Sequence, residues 1–512
     1  MSQLFAVKPL SQLTSDAHHG GGPRLVRSLG PVQLISLGIG AIIGAGIFST
    51  VGSAAAGGAH HLGAGPALVI SFMLTAVACG FAALCYAEFA SMVPVAGSAY
   101  TYSYATLGEL VAWIIGWDLI IEYAIGNVAV AISWSGYFQE LLRGLGLDWP
   151  IWLGIDYRTA YRALGEYQAA GGATADLAPN ILRNAQAVLN APHIAGVPIL
   201  FNLPAFLAVM GITWVLVRGV RESVGFNTAM VVLKLVIIAF FLAVGVFYVK
   251  PENWTPFAPN GFAGISSAAA IIFFAYIGFD AVSTAAEETR DPQRNMPIGM
   301  IGSLIICTVI YMAVAIVLTG LTPWTRLGTA EPLATAFSAL GMHWAAGIIS
   351  LGAVFATTSV LIVFQMGQPR IFFSMARDGL LPPWAAKVHP KYQTPYVTTI
   401  LTGVFVGLLA GLANIDEVVE LTNIGTLFAF VLVAVGILVL RRTNPDAPRP
   451  FRTPFVPAVP ILAILSCGYL MAQLPWPTWE RFLIWLAIGL AVYFAYGYRH
   501  TKLRAQNEGR AA

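Results

Sequence analysis

Charged side chains are scarce in this 512-residue chain. Asp, Glu, Lys and Arg together make up 10% of it, whereas a soluble domain carries roughly a quarter. So few charges cannot solvate the surfaces of several globular domains, and the composition therefore excludes an ordinary water-soluble protein. Hydrophobic residues make up 57% and the mean hydropathy is +0.75, which indicates that lipid is the solvent for most of the chain. At about 20 apolar residues for each span, the length accommodates a dozen membrane spans.

Sequence motifs of catalysis, redox chemistry and nucleic-acid binding are also missing. The four cysteines lie in apolar stretches, and no CxxC pair, GxSxG elbow or phosphate loop occurs. The adjacent histidines His18–His19 and His60–His61 have no Glu at metal-ligand spacing. No basic run is interleaved with aromatic residues. We therefore expect no enzyme activity, no cofactor, no metal site and no nucleic-acid partner. The polar first 31 residues lack the apolar core of a signal peptide.

Apolar runs separated by turns or charges predict twelve membrane helices. They lie at about residues 32–56, 66–92, 108–141, 202–218, 223–249, 263–286, 296–320, 344–376, 396–413, 417–440, 454–473 and 479–498. The stretch 143–200 is the one long segment of soluble-like composition, and it contains a short amphipathic pattern, YRTAYRALGEYQAA. We interpret it as an outer loop. A cap over an entrance and a plain surface insertion both fit, and we favour the insertion.

The distribution of Lys and Arg predicts the orientation in the membrane. If the N-terminus is cytoplasmic, 19 of the 27 Lys and Arg residues face the cytoplasm and seven face outward, four of these in the long loop. Positive charge close to the spans favours the cytoplasmic side. We therefore expect a protein of the inner, or plasma, membrane whose tails, residues 1–31 and 499–512, both lie in the cytoplasm.

Two predicted spans contain residues that interrupt a membrane helix. The first includes GIGAIIGAGIF, where each glycine costs roughly 0.5–1 kcal/mol relative to Ala. Close packing through small residues explains part of this pattern, but the alternation around Ala45 indicates local unwinding. In the sixth span, Gly278 and Asp280 interrupt an apolar run. An Asp at mid-membrane depth is costly unless it faces a cavity or a partner.

The positions of these two spans predict an internal repeat. Each of them opens a set of five helices, over residues 32–249 and 263–440, and two further helices follow at 454–498. Because five is an odd number, two consecutive sets have opposite orientations in the membrane. This is the inverted repeat of secondary transporters.

Broken helices at mid-membrane depth create a recognisable kind of binding site. Unwound backbone is tolerated there only where it lines a cavity or is buried in protein. The N-terminus of a half-helix offers free N–H groups to a carboxylate. At the opposing end, carbonyls such as those of Ile42, Phe274 and Ala275 can accept hydrogen bonds from an ammonium group. A ligand that carries both groups on one carbon atom is an amino acid.

Five motifs in their order along the chain resemble the amino acid-polyamine-organocation superfamily, specifically its cationic amino acid transporter branch. They are GIGAIIGAGIF, PVAGSAYTYSY, LGELVAWIIGWDLIIEY, FFAYIGFDAVSTAAEETRDPQRNMPIG and PRIFFSMARDGLLP. The resemblance covers nearly the whole chain. It implies an all-α integral membrane protein of the LeuT-type fold, with twelve transmembrane helices, a 5+5 inverted repeat and discontinuous helices 1 and 6 that bind an L-amino acid.

The resemblance also assigns roles within the substrate site. Gly44, Ala45 and Gly46 would receive the substrate carboxylate. The carbonyls offered to its amine would be those of Ile42, Phe274, Ala275 and Ile277. Many relatives have a hydroxyl residue where this chain has Ala45, so one side-chain bond to the carboxylate is missing here.

Aromatic side chains flank the break in the sixth span. Tyr276 and Phe279 are expected either to close over the ligand or to serve in packing. The third predicted span adds Glu122 to these residues. The expected substrate-binding residues are therefore Ile42, Ile43, Gly44, Ala45, Gly46, Glu122, Phe274, Ala275, Tyr276 and Ile277.

Lys234 lies deep in the fifth predicted span, within MVVLKLVIIAFF. A lysine at the centre of a span costs about 2.5–3.5 kcal/mol on insertion scales, so it requires a reason. Snorkelling to an interface or a structural tie to helix 1 carbonyls is possible, but we favour a functional role because a buried lysine can exchange its proton. In proton-coupled relatives a helix-5 lysine occupies the place of a sodium ion, and Lys234 matches it. The expected partners are thus an L-amino acid, a proton and the lipid bilayer.

Glu122 lies one helical turn from Asp118 in the third predicted span. The two acids form either a buried structural pair or, for Glu122, part of a pocket that favours a cationic side chain. We predict a proton-coupled transporter of cationic or broad-range L-amino acids. A sodium-independent exchanger and an amino acid sensor of the same fold remain the alternatives.

Overall fold

The computed structural model describes residues 4, 6–8, 29–58, 60–92, 98–170, 179–219 and 224–503. Most of the N-terminal tail, including His18–His19, lies outside these residues. So do residues 94–97, the first four of the PVAGSAYTYSY run.

Helices dominate the described part of the chain. Those of the first half are α1 Pro31–Ile42, α2 Val51–Ala56, α3 Leu68–Met92, α4 Ser98–Thr106, α5 Glu109–Ile120, α6 Gly126–Gly144, α7 Tyr157–Ala169, α8 Pro179–Asn190, α9 Leu203–Arg218 and α10 Val224–Gly245. Those of the second half are α11 Gly261–Ile272, α12 Pro292–Leu321, α13 Pro332–Ala339, α14 His343–Arg377, α15 Tyr396–Leu412, α16 Ile415–Thr443, α17 Ala458–Ala472, α18 Trp476–Val492 and α19 Tyr498–His500.

Shorter elements connect these helices. Two antiparallel strands, β1 His193–Ile194 and β2 Val197–Pro198, form a small hairpin between α8 and α9. π-Helical turns extend over Gly46–Thr50, Ile121–Ile125 and Tyr493–Gly497. The stretches Phe273–Tyr276 and Asp280–Glu288 are 3₁₀-helical.

Among the described residues, eight helical stretches are long and apolar enough to cross a membrane. A ninth results if Pro31–Ile42 and Gly46–Ala56, which are bent by 44° at a short break, are counted as one span. Three more apolar helices, α9, α15 and α17, are shorter than 18 residues. Each of the twelve apolar segments predicted from the sequence contains one of these elements, with ends that agree within several residues.

The spans differ in how deeply they lie in the protein. The most apolar window of Glu109–Gly144 is 89% buried and that of Gly261–Ser283 is 83% buried, whereas only 22% of the window in Trp476–His500 is buried. The first two therefore pass through the centre of the bundle, and α18 lies at its periphery, where apolar side chains such as Leu483 and Ile484 are exposed. A chain that is apolar on its outside as well as inside suits a lipid environment.

Two sets of packed helices surround the centre. α1 packs against α12 and α10, and α12 also packs against α3. α14 packs against α6 and α10. One continuous apolar core extends through these helices, and a second, small core lies within the segment between α6 and α9. The predicted amphipathic helix of that segment is present as α7.

The two ends of the described chain meet at one face of the bundle. Lys8 Nζ lies 3.2 Å from Asp378 Oδ1 at the end of α14, and Tyr100 Oη donates to Asp378 Oδ2 at 2.7 Å. Nearby, the buried Glu109 accepts hydrogen bonds from Tyr493 Oη and Thr501 Oγ1, each at 2.8 Å. These contacts fasten the N-terminal residues and the last helix to the core.

Candidate functional site

The helix that begins at Pro31 is interrupted halfway along. α1 ends at Ile42, and Ile43 has extended backbone angles (φ −76°, ψ 98°). The chain turns helical again at Ala45 and continues through the π-helical turn into α2. A helix start leaves N–H groups without partners, and a helix end leaves carbonyls without partners. The break therefore exposes both kinds of peptide group in the interior.

A second interruption follows α11. The 3₁₀ turn Phe273–Tyr276 ends at Ile277, which is extended (φ −60°, ψ 133°), and Gly278 has φ +118°. Residues with a side chain rarely adopt such a positive φ. A Cβ atom on Gly278 would also lie 2.9 Å from the carbonyl carbon and oxygen of Ala41. Only glycine therefore suits this position, and the close approach places the second break against α1.

The two breaks lie directly against each other. A Cβ atom on Gly46 would lie 2.2 Å from Ala275 Cα, which is closer than real Cβ contacts allow. Every predicted residue of the two breaks is buried, and the structure brings the two groups together in the protein centre: Ile42, Ile43, Gly44, Ala45 and Gly46 in the first, and Phe274, Ala275, Tyr276 and Ile277 in the second.

Side chains from three other helices cap the carbonyls at the two breaks. Lys234 Nζ donates to Gly40 O at 2.6 Å, and Tyr311 Oη donates to Ile42 O at 2.9 Å. Asn423 Nδ2 donates to the carbonyls of Ala270 and Ile271, at 2.8 and 2.9 Å. All four acceptors lie in the last turn of α1 or α11, where a helix end leaves carbonyls short of intrahelical N–H donors.

One of these three caps is foreseeable from the sequence. A tie from Lys234 to carbonyls of helix 1 was among the expected roles of this lysine, and the structure contains that bond, with Lys234 fully buried. Tyr311 and Asn423 were not foreseen, because a single polar residue within an apolar helix does not reveal which way it points. The Ile42 carbonyl, expected to accept a bond from a substrate amine, already accepts one from Tyr311 and retains a second lone pair.

Glu122 and Asp280 place a second group of polar atoms beside the break after α11. Both side chains are buried, and their carboxyl groups lie near enough to interact. Glu122 belongs to the π-helical turn that joins α5 and α6, a type of irregularity often found at functional sites. Neither oxygen of Asp280 has a hydrogen-bond partner in the described part of the chain. If both groups were ionised they would repel each other, and a proton on one of them or a bound cation would offset that repulsion.

Aromatic rings pack around this group. The hydroxyls of Tyr86 and Tyr102 are buried without a described hydrogen-bond partner, and the two rings are in edge contact at 6.4 Å. Phe279 packs against Tyr86 at 6.0 Å and against Phe430 at 5.1 Å. Tyr276 points toward α3, where its hydroxyl donates to Phe72 O at 3.1 Å. In this conformation both rings of the predicted closing pair are engaged in packing.

An apolar wall adjoins the first break. A Cβ atom on Gly44 would lie 3.0 Å from Val360 Cγ2, and one on Gly126 would lie 3.3 Å from the Phe364 ring. Val360 and Phe364 lie one turn apart on α14. Neither residue was predicted to line the site, because in the sequence both look like ordinary core residues of a long apolar helix.

Comparisons with known proteins show which family the chain is similar to. The family model described as "Amino acid permease" matches residues 29–493. The chain is 49% identical to the branched-chain amino acid permease BcaP of Bacillus subtilis over 501 residues, which cover 98% of this chain and 99% of that protein. It is 44% identical to the methylthioribose transporter of the same organism, over 98% of this chain and 100% of that protein. Identity to the vacuolar cationic amino acid transporter 4 of Arabidopsis thaliana is 36%, over 83% of this chain and 65% of that protein.

Proposed function

This chain belongs to the amino acid permease family of the amino acid-polyamine-organocation superfamily and is a multi-pass membrane protein; from this premise we propose that it is a proton-coupled secondary transporter of L-amino acids. In this proposal the two breaks form the substrate site, and the bundle opens alternately to either side of the membrane. The observation that carries the proposal is the contact between the two breaks, Gly46 against Ala275 and Gly278 against Ala41.

The proposed architecture is the LeuT-type fold. In it the three shorter apolar helices α9, α15 and α17 also cross the membrane, which gives twelve spans. Residues 32–249 and 263–440 form the two inverted repeats, and each repeat begins with its broken helix. The tails lie in the cytoplasm beneath the plasma membrane, and the segment 143–200 lies outside.

The proposed substrate site uses backbone groups at both ends of the ligand. The N–H groups of Gly44, Ala45 and Gly46 stand at the start of a helical segment, where a carboxylate is favoured by the helix dipole. The carbonyls of Phe274, Ala275 and Ile277 border an irregular stretch and face the amine in this proposal, with the Ile42 carbonyl as a further acceptor. Every one of these residues is buried, so water would not compete with the ligand.

Proton coupling is proposed to depend on Lys234. Its bond to Gly40 O joins α10 to the last turn of α1. A charged ammonium makes a stronger hydrogen bond to a carbonyl than a neutral amine does. Gain or loss of the proton on Lys234 would therefore strengthen or weaken the tie between α10 and the broken helix, which links protonation to the position of α1.

Uptake by Lys234→Gln in proteoliposomes tests this coupling. The wild-type protein should accumulate labelled alanine faster when the outside is acidic, and the variant should lose that dependence. Lys250→Gln is the matched control, because Lys250 is exposed in the loop before α11. If uptake by Lys234→Gln depended on pH as strongly as uptake by the wild-type protein does, a role of Lys234 in proton coupling would be ruled out.

The cargo is proposed to be broad, because the site has two different walls. Val360 and Phe364 offer an apolar surface, and the relative with 49% identity is named for branched-chain amino acids. Glu122 and Asp280 offer two carboxyl groups that suit a cationic side chain. Competition against labelled alanine uptake distinguishes the two preferences. We expect leucine and arginine both to inhibit. Lack of inhibition by arginine would remove the cationic assignment, and lack of inhibition by leucine would remove the aliphatic one.

A further inference from the structure

Helices α9 and α15 lie side by side as an antiparallel pair. At one end Asn202 N donates to Gly411 O at 2.8 Å, and at the other end Thr394 Oγ1 donates to Val217 O at 2.9 Å. In a multi-pass membrane protein, exposed apolar side chains contact the acyl chains of lipids. Both helices carry such side chains: Leu207, Trp214, Val215, Leu401, Phe405 and Leu408.

Three cationic side chains collect at the second of these ends. Arg218 is the last residue of α9, and Lys387 and Lys391 belong to the loop that leads into α15. All three are exposed. The loop lies against the end of α9, because a Cβ atom on Gly219 would be 3.5 Å from Tyr392 O. None of the three cations has an ion-pair partner among the described residues, so their charge is available to a ligand.

His389 organises this loop into a tight turn. Its ring nitrogen Nδ1 accepts hydrogen bonds from Lys391 N at 3.1 Å and from Tyr392 N at 3.2 Å. His389 N donates to Thr394 O at 2.8 Å, and the imidazole packs against the rings of Tyr392 and Tyr396, with centroids 4.6 and 5.4 Å away. The turn positions the backbone of Lys391 before any ligand binds, which lowers the entropic cost of binding.

Aromatic rings accompany the cations. The guanidinium of Arg218 lies 4.0 Å from the ring centroid of Trp214, and Lys391 Nζ lies 5.4 Å from that of Tyr392. Trp384, which is 46% exposed, precedes Lys387 by three residues. Trp and Tyr are enriched where a membrane meets water. These rings therefore indicate that the three cations lie at the level of the lipid headgroups.

We propose that this end of the α9–α15 pair binds an anionic phospholipid. Its phosphate would lie among Arg218, Lys387 and Lys391, and an acyl chain would follow the exposed apolar side chains of the two helices. A guanidinium can bind two phosphate oxygens at once, whereas each lysine acts as a point charge. A soluble phosphate compound would use the cations alone. Cations beside aromatic rings and an exposed apolar surface suit a lipid, because it carries both a charge and acyl chains.

The orientation proposed above favours the same occupant. In that orientation α9 is the fourth span and ends at the cytoplasmic face. The cytoplasmic leaflet carries the anionic lipids that attract basic segments. A bound phospholipid would also join the end of α9 to the loop before α15, so we expect it to raise the stability of the protein. The inference does not depend on which substrate is transported.

Native mass spectrometry of the protein in a neutral detergent tests the site. Purified, delipidated protein is titrated with phosphatidylglycerol or with phosphatidylcholine of the same acyl chains. We expect the first phosphatidylglycerol to bind about tenfold more tightly than phosphatidylcholine and to raise the melting temperature further. The triple substitution Arg218→Gln, Lys387→Gln and Lys391→Gln should remove both differences. All three residues are exposed, so the variant should fold.

The matched control combines Arg442→Gln, Arg452→Gln and Arg499→Gln, which remove the same charge from exposed positions elsewhere on the proposed cytoplasmic face. The control should keep the preference for phosphatidylglycerol. Three results would each overturn the inference: equal binding of both lipids by the wild-type protein, unchanged binding by the first triple variant, or an equal loss in the control. Glycerol 3-phosphate, which has the phosphate but no acyl chain, should not compete. If it displaced phosphatidylglycerol at equal concentration, the site would belong to a soluble anion and the lipid proposal would be wrong.

Discussion

Gly46 marks the point where the two broken helices approach most closely. Its neighbour across the contact is the backbone of Ala275, which cannot move aside as the end of a flexible side chain can. Gly278 has the same role toward Ala41 and also has a positive φ. At both positions the absence of a side chain lets peptide groups of two helices meet. The glycines therefore determine the geometry that we propose for the substrate site.

Gly46→Ala should lower amino acid uptake by about tenfold or more, because overpacking in a tight interior typically costs 1–3 kcal/mol. The measurement is initial uptake of labelled alanine by proteoliposomes with equal amounts of protein. Gly80→Ala in α3 is the matched control, since a Cβ atom there would meet nothing within 4 Å. We expect the control to transport like wild type. Full activity of Gly46→Ala would contradict the role assigned to this contact.

Broken helices need partners for their free ends, and here the partners come from intact helices. α10, α12 and α16 supply Lys234, Tyr311 and Asn423 to the carbonyls of α1 and α11. Each cap therefore joins a broken helix to an unbroken neighbour. A movement of α1 or α11 must break or carry along these bonds, so the caps determine which helices move together.

Asn423→Ala should destabilise the protein by about 1–3 kcal/mol, because it removes two buried hydrogen bonds, to the carbonyls of Ala270 and Ile271. Thermal unfolding in detergent, followed together with uptake, measures the effect. Ser466→Ala is the control, since Ser466 bonds only to carbonyls of its own helix α17 in the described structure. Equal melting temperatures for Asn423→Ala and wild type would show that the cap contributes little.

A buried ionic group fastens the linker after α16 to α3. Glu88 is fully buried and accepts two bonds from Arg441 at 2.9 Å, one from Arg449 at 3.1 Å and one from Thr453 N at 2.8 Å. The side chain of Arg449 is only 1% exposed. Both carboxylate oxygens are therefore fully used by donors, which is the condition under which a buried ion pair is tolerated.

Glu88→Gln should cost about 3–5 kcal/mol of stability, because it leaves a buried arginine without its counter-charge. The matched control is Glu166→Gln, which removes the exposed pair with Arg162 and should cost about 0–1 kcal/mol. Thermal unfolding of the two variants side by side is the measurement. Similar losses from both substitutions would contradict the structural role of the Glu88 group.

At the scale of the whole molecule, the sequence predicted the helices better than their contacts. Hydropathy located every apolar segment, and the glycines near Ala45 and at Gly278 indicated where helices unwind, because both signals are local. The caps from Tyr311 and Asn423 and the pairing of Glu122 with Asp280 depend on how distant helices pack, which composition does not reveal. The small core between α7 and α8 could not be predicted for the same reason, since it forms between two helices that are each only amphipathic.

Counterflow tests the central claim, that the two breaks form a substrate site open alternately to each side. Proteoliposomes loaded with unlabelled alanine are diluted into labelled alanine, and the label inside is followed over time. We predict a transient accumulation of label above its equilibrium level in wild type, and its loss in Gly46→Ala. Binding of alanine without any such accumulation in wild type would contradict the account and identify the protein as an amino acid sensor.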